Sequence, residues 1–197
     1  MWRTQQKGSV MRSILPLFAI TLVAAVPAIA AETVPVSSFR QIELRGGGNV
    51  LVRPAAVQRV TIVEGSSQFT RAQVDRDGRL RIEACNRQCP RDYRLRIVVD
   101  TPSVEGLAIR GGGTITAARG FRTQRNLATA IMGGGRLDAR DIASTHVAAA
   151  VNGGGELLVS PVADLAAAVR GGGAIRYTGN PQVSSAISGG GSISRAR

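Results

Sequence analysis

The stretch LAAAVRGGGAI, residues 165–175, contains the pattern that decides the fold. Glycine triplets with similar flanks begin at residues 111, 133, 153, 171 and 189, which lie 22, 20, 18 and 18 residues apart, and one earlier triplet occupies residues 46–48. A repeat of about 20 residues is typical of a β-solenoid, because each coil must stack on its neighbours to bury its apolar side. The sequence therefore predicts an all-β chain with glycine-triplet turns.

The flanks of the five later triplets repeat as well. A β-branched residue stands two positions before each triplet, an alanine three before it, and an aliphatic residue two after it. These sets are Ile109, Ile131, Val151, Val169 and Ile187; Ala108, Ala130, Ala150, Ala168 and Ala186; and Ile115, Leu137, Leu157, Ile175 and Ile193. Four copies also have Leu or Val six positions before the triplet. The unit therefore indicates a short strand on each side of a turn.

Alternation along the strand before each triplet separates large from small side chains. Leu165 and Val169 share one face, while Ala166 and Ala168 share the other, and the later copies keep this parity. We expect the larger face to be the interior. Three interpretations remain for the small face: it is covered by the N-terminal half of the chain, it mediates self-association, or it lies inside a thin coil. Its candidate packing residues are Ala108, Ala130, Ala150, Ala168 and Ala186.

Glycine-rich turns can also direct backbone N–H groups at an anion. However, none of these triplets is followed by Lys-Ser or Lys-Thr as in a P-loop, and none begins a G-x-G-x-x-G fingerprint. In the best calcium-nonapeptide candidate, between Gly133 and Asp138, Arg136 stands where the third glycine is needed. Structural corners are therefore the favoured interpretation of the triplets, and no cofactor is expected.

The N-terminus has the organisation of a secretory signal peptide. Three basic residues precede an uncharged apolar run over residues 14–25, and a small-residue A-x-A site ends at Ala30. That run is shorter than the roughly 20 residues that cross a bilayer as a helix. We expect cleavage of residues 1–30, no later transmembrane segment, and a mature protein that is periplasmic, secreted or located on the cell surface.

Residues 31–197 are predicted to form one domain, because their length suits a single core. Within it, residues 36–104 form separate alternating strands and residues 105–195 hold the five-copy repeat. The N-terminal strands are expected either in antiparallel pairs or as an irregular first stretch of the solenoid. They are predicted at residues 39–44, 50–53, 60–64, 80–84 and 93–100.

The charge permits anionic partners. Cleavage leaves 22 basic residues, all arginine, against 13 acidic residues, a net charge of +9. Because the guanidinium group suits carboxylate, sulfate and phosphate, acidic glycans and lipopolysaccharide are possible partners. An ordinary solvated basic surface is the alternative. Export and the scarcity of aromatic residues oppose nucleic acid as a partner.

The two cysteines, Cys85 and Cys89, are candidates for a structural disulfide. An oxidising compartment favours a local disulfide over a metal site. Zinc needs about four ligands, and the single histidine, His146, lies far away in sequence. No metal site is expected, and the disulfide should hold a turn rather than the whole domain.

Four arginines near these cysteines form the candidate anion-contact set. Arg79 and Arg81 alternate with apolar residues in one predicted strand, and Arg94 and Arg96 do so in the next. If these strands pair as a hairpin with residues 85–90 at its end, an arginine stripe results. This stripe would either contact an anionic polymer or form a solvated outer face.

The chain resembles the DUF2807 family, known as "putative auto-transporter adhesin, head GIN domain". The resemblance is carried by Phe39-Arg40-Gln41-Ile42, the triplet at residues 46–48, Leu80-Arg81-Ile82 and the later glycine turns followed by an aliphatic residue, and it spans residues 36–195. It implies an exported bacterial envelope protein with a right-handed β-helix-like fold. It supplies no catalytic residues. Many members have Gly-Ser-Gly where this chain has Gly-Gly-Gly.

The sequence leaves three classes of function open. A polysaccharide-active β-helix enzyme would need clustered carboxylates on one face, whereas Asp138, Asp141, Glu156 and Asp164 do not recur in register. A binder of anionic polymers through the arginine-rich hairpin is a second class. The favoured prediction is a non-catalytic, adhesin-like envelope module that acts through one solenoid face, with itself, an envelope protein or an anionic glycan as partner.

Overall fold

A computed structural model describes Trp2 and residues 31–86 and 88–196 of the chain. The predicted signal peptide, residues 1–30, lies outside the described residues apart from Trp2. Within the described ranges the secondary structure is entirely β, and no helix is long and apolar enough to cross a membrane. The prediction of an all-β chain is therefore confirmed.

The described residues contain fifteen strands. Those of the N-terminal part are β1 (Glu32–Val34), β2 (Gln41–Gly46), β3 (Asn49–Pro54), β4 (Arg59–Glu64), β5 (Arg71–Val74), β6 (Arg79–Glu83) and β7 (Arg96–Thr101). Those of the glycine-rich part are β8 (Gly106–Gly111), β9 (Thr114–Ala117), β10 (Gln124–Gly133), β11 (Arg136–Gly153), β12 (Glu156–Arg170), β13 (Ala174–Tyr177), β14 (Gln182–Ser188) and β15 (Ser192–Arg195).

Two parallel ladders run through one sheet of mixed strand orientation. The first ladder pairs β6, β2, β8, β10, the second half of β11, the second half of β12 and β14 in that order. The second pairs β7, β3, β9, the first half of β11, the first half of β12, β13 and β15. Strands that precede a glycine triplet thus lie in the first ladder, and strands that follow one lie in the second.

The N-terminal part contains both parallel and antiparallel strand pairs. β2, β3, β6 and β7 extend the two ladders in parallel, whereas β1, β4 and β5 are attached antiparallel, as β1–β4, β4–β7 and β5–β6. The early triplet is in register with the later ones, because Gly46 pairs with Gly111. β1 and β5 were not predicted from the sequence.

The larger side chains of both ladders form one hydrophobic core. Leu165 and Val169 of the first ladder are about 1 % exposed, and Leu157 and Ile175 of the second are fully buried. The core continues through Leu44, which makes the N-terminal and glycine-rich parts share the same interior. The prediction that the larger face is interior is confirmed.

Candidate binding groove

The row of alanines predicted as a packing face lies on the outside of the first ladder. Ala108, Ala130, Ala150, Ala168 and Ala186 pair in register from β8 to β14. The first two are half-buried and the last three are exposed. A second row, two positions earlier in each strand, runs beside it and consists of Gly106, Ala128, Ala148, Ala166 and Ser184. In this second row Gly106 is buried beside the side chain of Gln41, and the other four residues are exposed.

The two rows form the floor of an open groove of about 580 Å³. Small side chains stacked at the strand spacing leave the groove shallow and its floor apolar. A neighbouring concavity, which shares Ala128, Ala148 and Ala166 with the groove, continues past the starts of the same strands. The arrangement provides an extended track across the ladder rather than an enclosed cavity.

A buried carboxylate occupies the N-terminal end of the alanine row. Glu43 of β2 pairs with Ala108 on one side and Arg81 on the other, and its side chain is 1 % exposed. Its carboxylate lies 3.1 Å from Nη1 of Arg79 and 3.2 Å from Nε of Arg110, and accepts a hydrogen bond of 2.5 Å from Nε of Arg45. One negative charge therefore faces three guanidinium groups.

The arginines determine the charge state of Glu43. Burial raises the pKa of this carboxyl, but the hydrogen bond and charge of Arg45, together with the charge of Arg110 and the hydrogen bond from Arg79, outweigh burial and lower the pKa below its ordinary value of 4.5. Glu43 is accordingly ionised at neutral pH. The cluster keeps two excess positive charges, and its arginine side chains are 32–48 % exposed toward solvent.

The repeat unit of the five later triplets does not include Glu43, because the earlier triplet at residues 46–48 is not part of that alignment. Three positions before Gly46 the chain has Glu43 where every later copy has alanine. Aligning that sixth copy would have placed the carboxylate in the alanine row. The signal was therefore present in the sequence.

The structure separates the four arginines predicted to contact anions. β6 pairs with β2 and β5, and β7 pairs with β3 and β4, so the predicted hairpin between these strands is wrong. Each strand belongs to a different ladder. Arg79 lies at the end of the groove and pairs with Glu43, whereas Arg81 of the same strand pairs with Asp75 outside the groove lining. Arg96 begins β7 of the second ladder and pairs with Glu64, and Arg94 precedes that strand, so neither lines the groove.

Cys85 and Cys89 form a disulfide. The segment around it is held to neighbouring residues, since Asn86 donates a backbone hydrogen bond to Phe69, and the Tyr93 hydroxyl lies 2.6 Å from Oγ1 of Thr70. The rings of Phe69 and Tyr93 also meet edge to face at 5.5 Å. The disulfide thus lies in the connection that leads from the first ladder to the second.

The carboxylates considered for catalysis are each engaged by a basic side chain. Asp138 pairs with Arg140, Asp141 with Arg119, and Glu156 with Arg176. Hydrogen bonding from Arg140 lowers the pKa of Asp138, although burial opposes this effect. Among the described residues, no three His, Cys, Asp or Glu side chains lie close enough to hold a metal ion.

His146 and Asp164 form a contact that the sequence did not reveal. Nδ1 of His146 lies 2.7 Å from Oδ2 of Asp164, and both side chains are about half exposed. The two residues pair in register between β11 and β12, at the edge of the second concavity. Their 18-residue separation equals the repeat period, which is the signal that could have identified them.

One comparison with a known structure supports the fold. A "putative adhesin" from Bacteroides fragilis is 18 % identical, with a TM-score of 0.54 over 85 % of this chain and 96 % of that chain. A "putative adhesin" and a "putative lipid binding protein", both from Parabacteroides distasonis, cover the same shares at 15 % identity, with TM-scores of 0.42 and 0.36. No curated protein matches the sequence.

The family comparison concerns the C-terminal half of the chain. The matching family is described as "DUF2807: Putative auto-transporter adhesin, head GIN domain", and the match covers residues 122–181. This range contains all of β10, β11, β12 and β13, and three of the six glycine triplets. The resemblance to the DUF2807 family inferred from the sequence is therefore confirmed by the match over residues 122–181.

Proposed function

We propose that the chain is an exported, non-catalytic envelope module of adhesin type that binds an anionic polymer along its alanine groove. The proposal takes residues 1–30 as a signal peptide and residues 31–197 as one domain, with a periplasmic or surface location. The structural similarity to a "putative adhesin" from Bacteroides fragilis supports this view. The two parallel ladders support a right-handed β-helix-like solenoid with the glycine triplets at its corners.

The proposal rests mainly on one observation, an open groove with an excess of positive charge at one end. The floor accommodates an extended chain, because small side chains leave room along five successive strands. At the N-terminal end, the excess of guanidinium groups around Glu43 attracts anionic groups, and guanidinium forks suit carboxylate and phosphate. Acidic polysaccharide and lipopolysaccharide both present such groups.

The same geometry favours binding over catalysis. Glycoside hydrolysis needs a pair of carboxylates on either side of the scissile bond. In the groove, the one carboxylate from the lining is Glu43, whose lowered pKa and three arginine partners suit neither a general acid nor an exposed nucleophile. The lining offers shape and positive charge instead.

Binding of alginate and of lipopolysaccharide micelles tests the proposal, with neutral dextran as the negative ligand. Calorimetry or sedimentation of the mature protein at two salt concentrations should detect binding that weakens with salt. The double variant Ala148→Glu with Ala168→Glu places two acidic side chains on the floor and should reduce affinity at least tenfold. Both native alanines are exposed, so the variant should still fold.

Val162→Glu is the matched control, because Val162 is an exposed residue of β12 outside the groove lining. It should bind as the unmodified protein does. The proposal fails if neither anionic ligand binds, or if the groove variant and the control bind equally well.

A further inference from the structure

β14 is an unprotected edge of the sheet. It pairs with β12 along one side, and in the described part of the chain no strand pairs with its other side. One row of backbone N–H and C=O groups is therefore available to another strand. Edge strands are usually protected by charge, proline or a covering element.

The sequence of β14 contains none of these protections. Gln182–Ser188 reads QVSSAIS and has no charged residue and no proline. The edge strand beyond the other end of the first ladder, β5, pairs with β6 and contains Arg71. An uncharged edge is exceptional in a chain with a net charge of +12.

Two apolar side chains of β14 are much more exposed than the residues of β12 with which they pair. Val183 and Ile187 occupy the inward row, in register with Leu165 and Val169, yet they are 39 % and 50 % exposed where their partners are about 1 % exposed. Two apolar residues that point to the core side therefore lie at its open end. A further strand stacked on this edge would bury them.

We propose that a second copy of this chain supplies that strand, through antiparallel pairing of β14 with β14 centred on Ser185. In this register Val183 of each copy lies opposite Ile187 of the other, and Ser184 lies opposite Ala186. Ser185 lies opposite its own equivalent. The strand is therefore self-complementary, with apolar inward residues opposite apolar residues and small outward residues opposite small ones.

This symmetry is what an isologous two-fold interface requires. Shifting the centre by two residues in either direction breaks the match, because Ser185 would then lie opposite Gly189 or Pro181. A partner of unrelated sequence would have no reason to match this pattern. The pairing would also join the alanine rows of the two copies end to end, because Ser184 and Ala186 stay on the outward face.

The interface is independent of ligand binding in the groove and is tested without ligand. Sedimentation velocity over a hundredfold range of concentration should show a monomer–dimer equilibrium for the mature protein. Val183→Lys with Ile187→Lys should leave a monomer, because inward lysines on an edge prevent strand pairing. Gln73→Lys on β5 is the matched edge control and should dimerise normally.

Cysteine cross-linking tests the register itself. Directly opposite residues of antiparallel strands have Cβ atoms about 4.5–5.5 Å apart, so Ser185→Cys should form an inter-copy disulfide under mild oxidation. Gln73→Cys, in a comparable edge strand, should cross-link at least tenfold more slowly. Circular dichroism verifies that each variant is folded.

Ser185→Lys replaces the double lysine variant if that variant does not fold, since Ser185 is exposed. A native protein that remains a monomer at every concentration overturns the inference. A dimer that persists in the lysine variants, or cross-linking of Ser185→Cys no faster than of Gln73→Cys, also overturns it. Loss of alginate binding with the dimer intact would count against the proposed function alone.

Discussion

Oε1 of Glu43 lies 3.2 Å from Nε of Arg110 in the neighbouring strand of the first ladder. The contact brings the early, irregular part of the chain and the glycine-rich part together at one end of the groove. Because Glu43 stands in the alanine row, the groove has an apolar floor and a charged end. Both parts of the chain therefore build the candidate site.

Replacing Glu43 with Gln should destabilise the protein by about 2 kcal/mol at pH 7, because the charged hydrogen bonds to its arginine partners are lost. The pKa of Glu43 is lowered in the folded state, so its stabilising contribution is present above the ordinary value of 4.5 and disappears as pH falls through the folded value. Urea unfolding between pH 3 and 7 should show the difference between the two proteins shrinking below pH 4.5. A constant difference would contradict this assignment.

Gly153 and Gly154 should differ sharply in their response to alanine substitution. Gly153 has a φ of +127°, and a Cβ there would lie 2.5 Å from the carbonyl oxygen of Gly133 in the adjacent triplet, whereas a Cβ at Gly154 meets nothing within 4 Å. Strain of this kind costs about 1–3 kcal/mol before the clash is counted. Gly153→Ala should therefore lower the free energy of unfolding by at least that amount. Gly154→Ala should be nearly neutral, and equal effects would contradict the close stacking of the turns.

Charge at the end of the groove should determine the salt dependence of binding. Arg79→Gln with Arg110→Gln removes two of the three guanidinium groups at Glu43, and should weaken alginate binding and flatten its dependence on salt. Arg94→Gln with Arg96→Gln removes the same charge away from the groove. That second variant should bind nearly as well as the native protein. If only Arg94→Gln with Arg96→Gln lost binding, the prediction that these two arginines contact the anion would be preferred over binding in the groove.

Reduction of the Cys85–Cys89 disulfide should have a small and local effect. A loop of this length contributes about 2 kcal/mol or less to stability. Hydrogen exchange should speed up at Asn86, whose amide donates to Phe69, while Val151 in the core of β11 stays protected. Cys85→Ser with Cys89→Ser should reproduce the reduced state. Global unfolding on reduction would contradict a local role.

The repeat made the glycine-rich part predictable. Its flanking residues recur at fixed distances from each triplet, and this recurrence identifies which residues pair across strands and which face is buried. Leu137 and Leu157, two positions after successive triplets, are indeed paired and fully buried. In this part of the chain, local alternation and the register between repeats identify the same residues as buried.

The N-terminal part was harder because alternation defines the faces of a strand but not its partner. β6 and β7 both alternate, and their closeness in sequence suggested a hairpin. Each instead extends a different ladder, β6 beside β2 and β7 beside β3. Leu80 and Ile97 are buried as the pattern predicts, although the pairing that buries them is different.

Methyl NMR of the alanines tests the central claim of groove binding most directly. With alanine methyl groups labelled, titration with alginate should shift the resonances of Ala150 and Ala168 on the groove floor, and leave those of the buried Ala117 and Ala139 nearly unchanged. Ala139 is the informative control because it lies in β11, as Ala150 does, but is buried and outside the groove lining. Saturable shifts confined to the floor would support the account. Shifts confined to other surfaces, or none at saturating alginate, would contradict it.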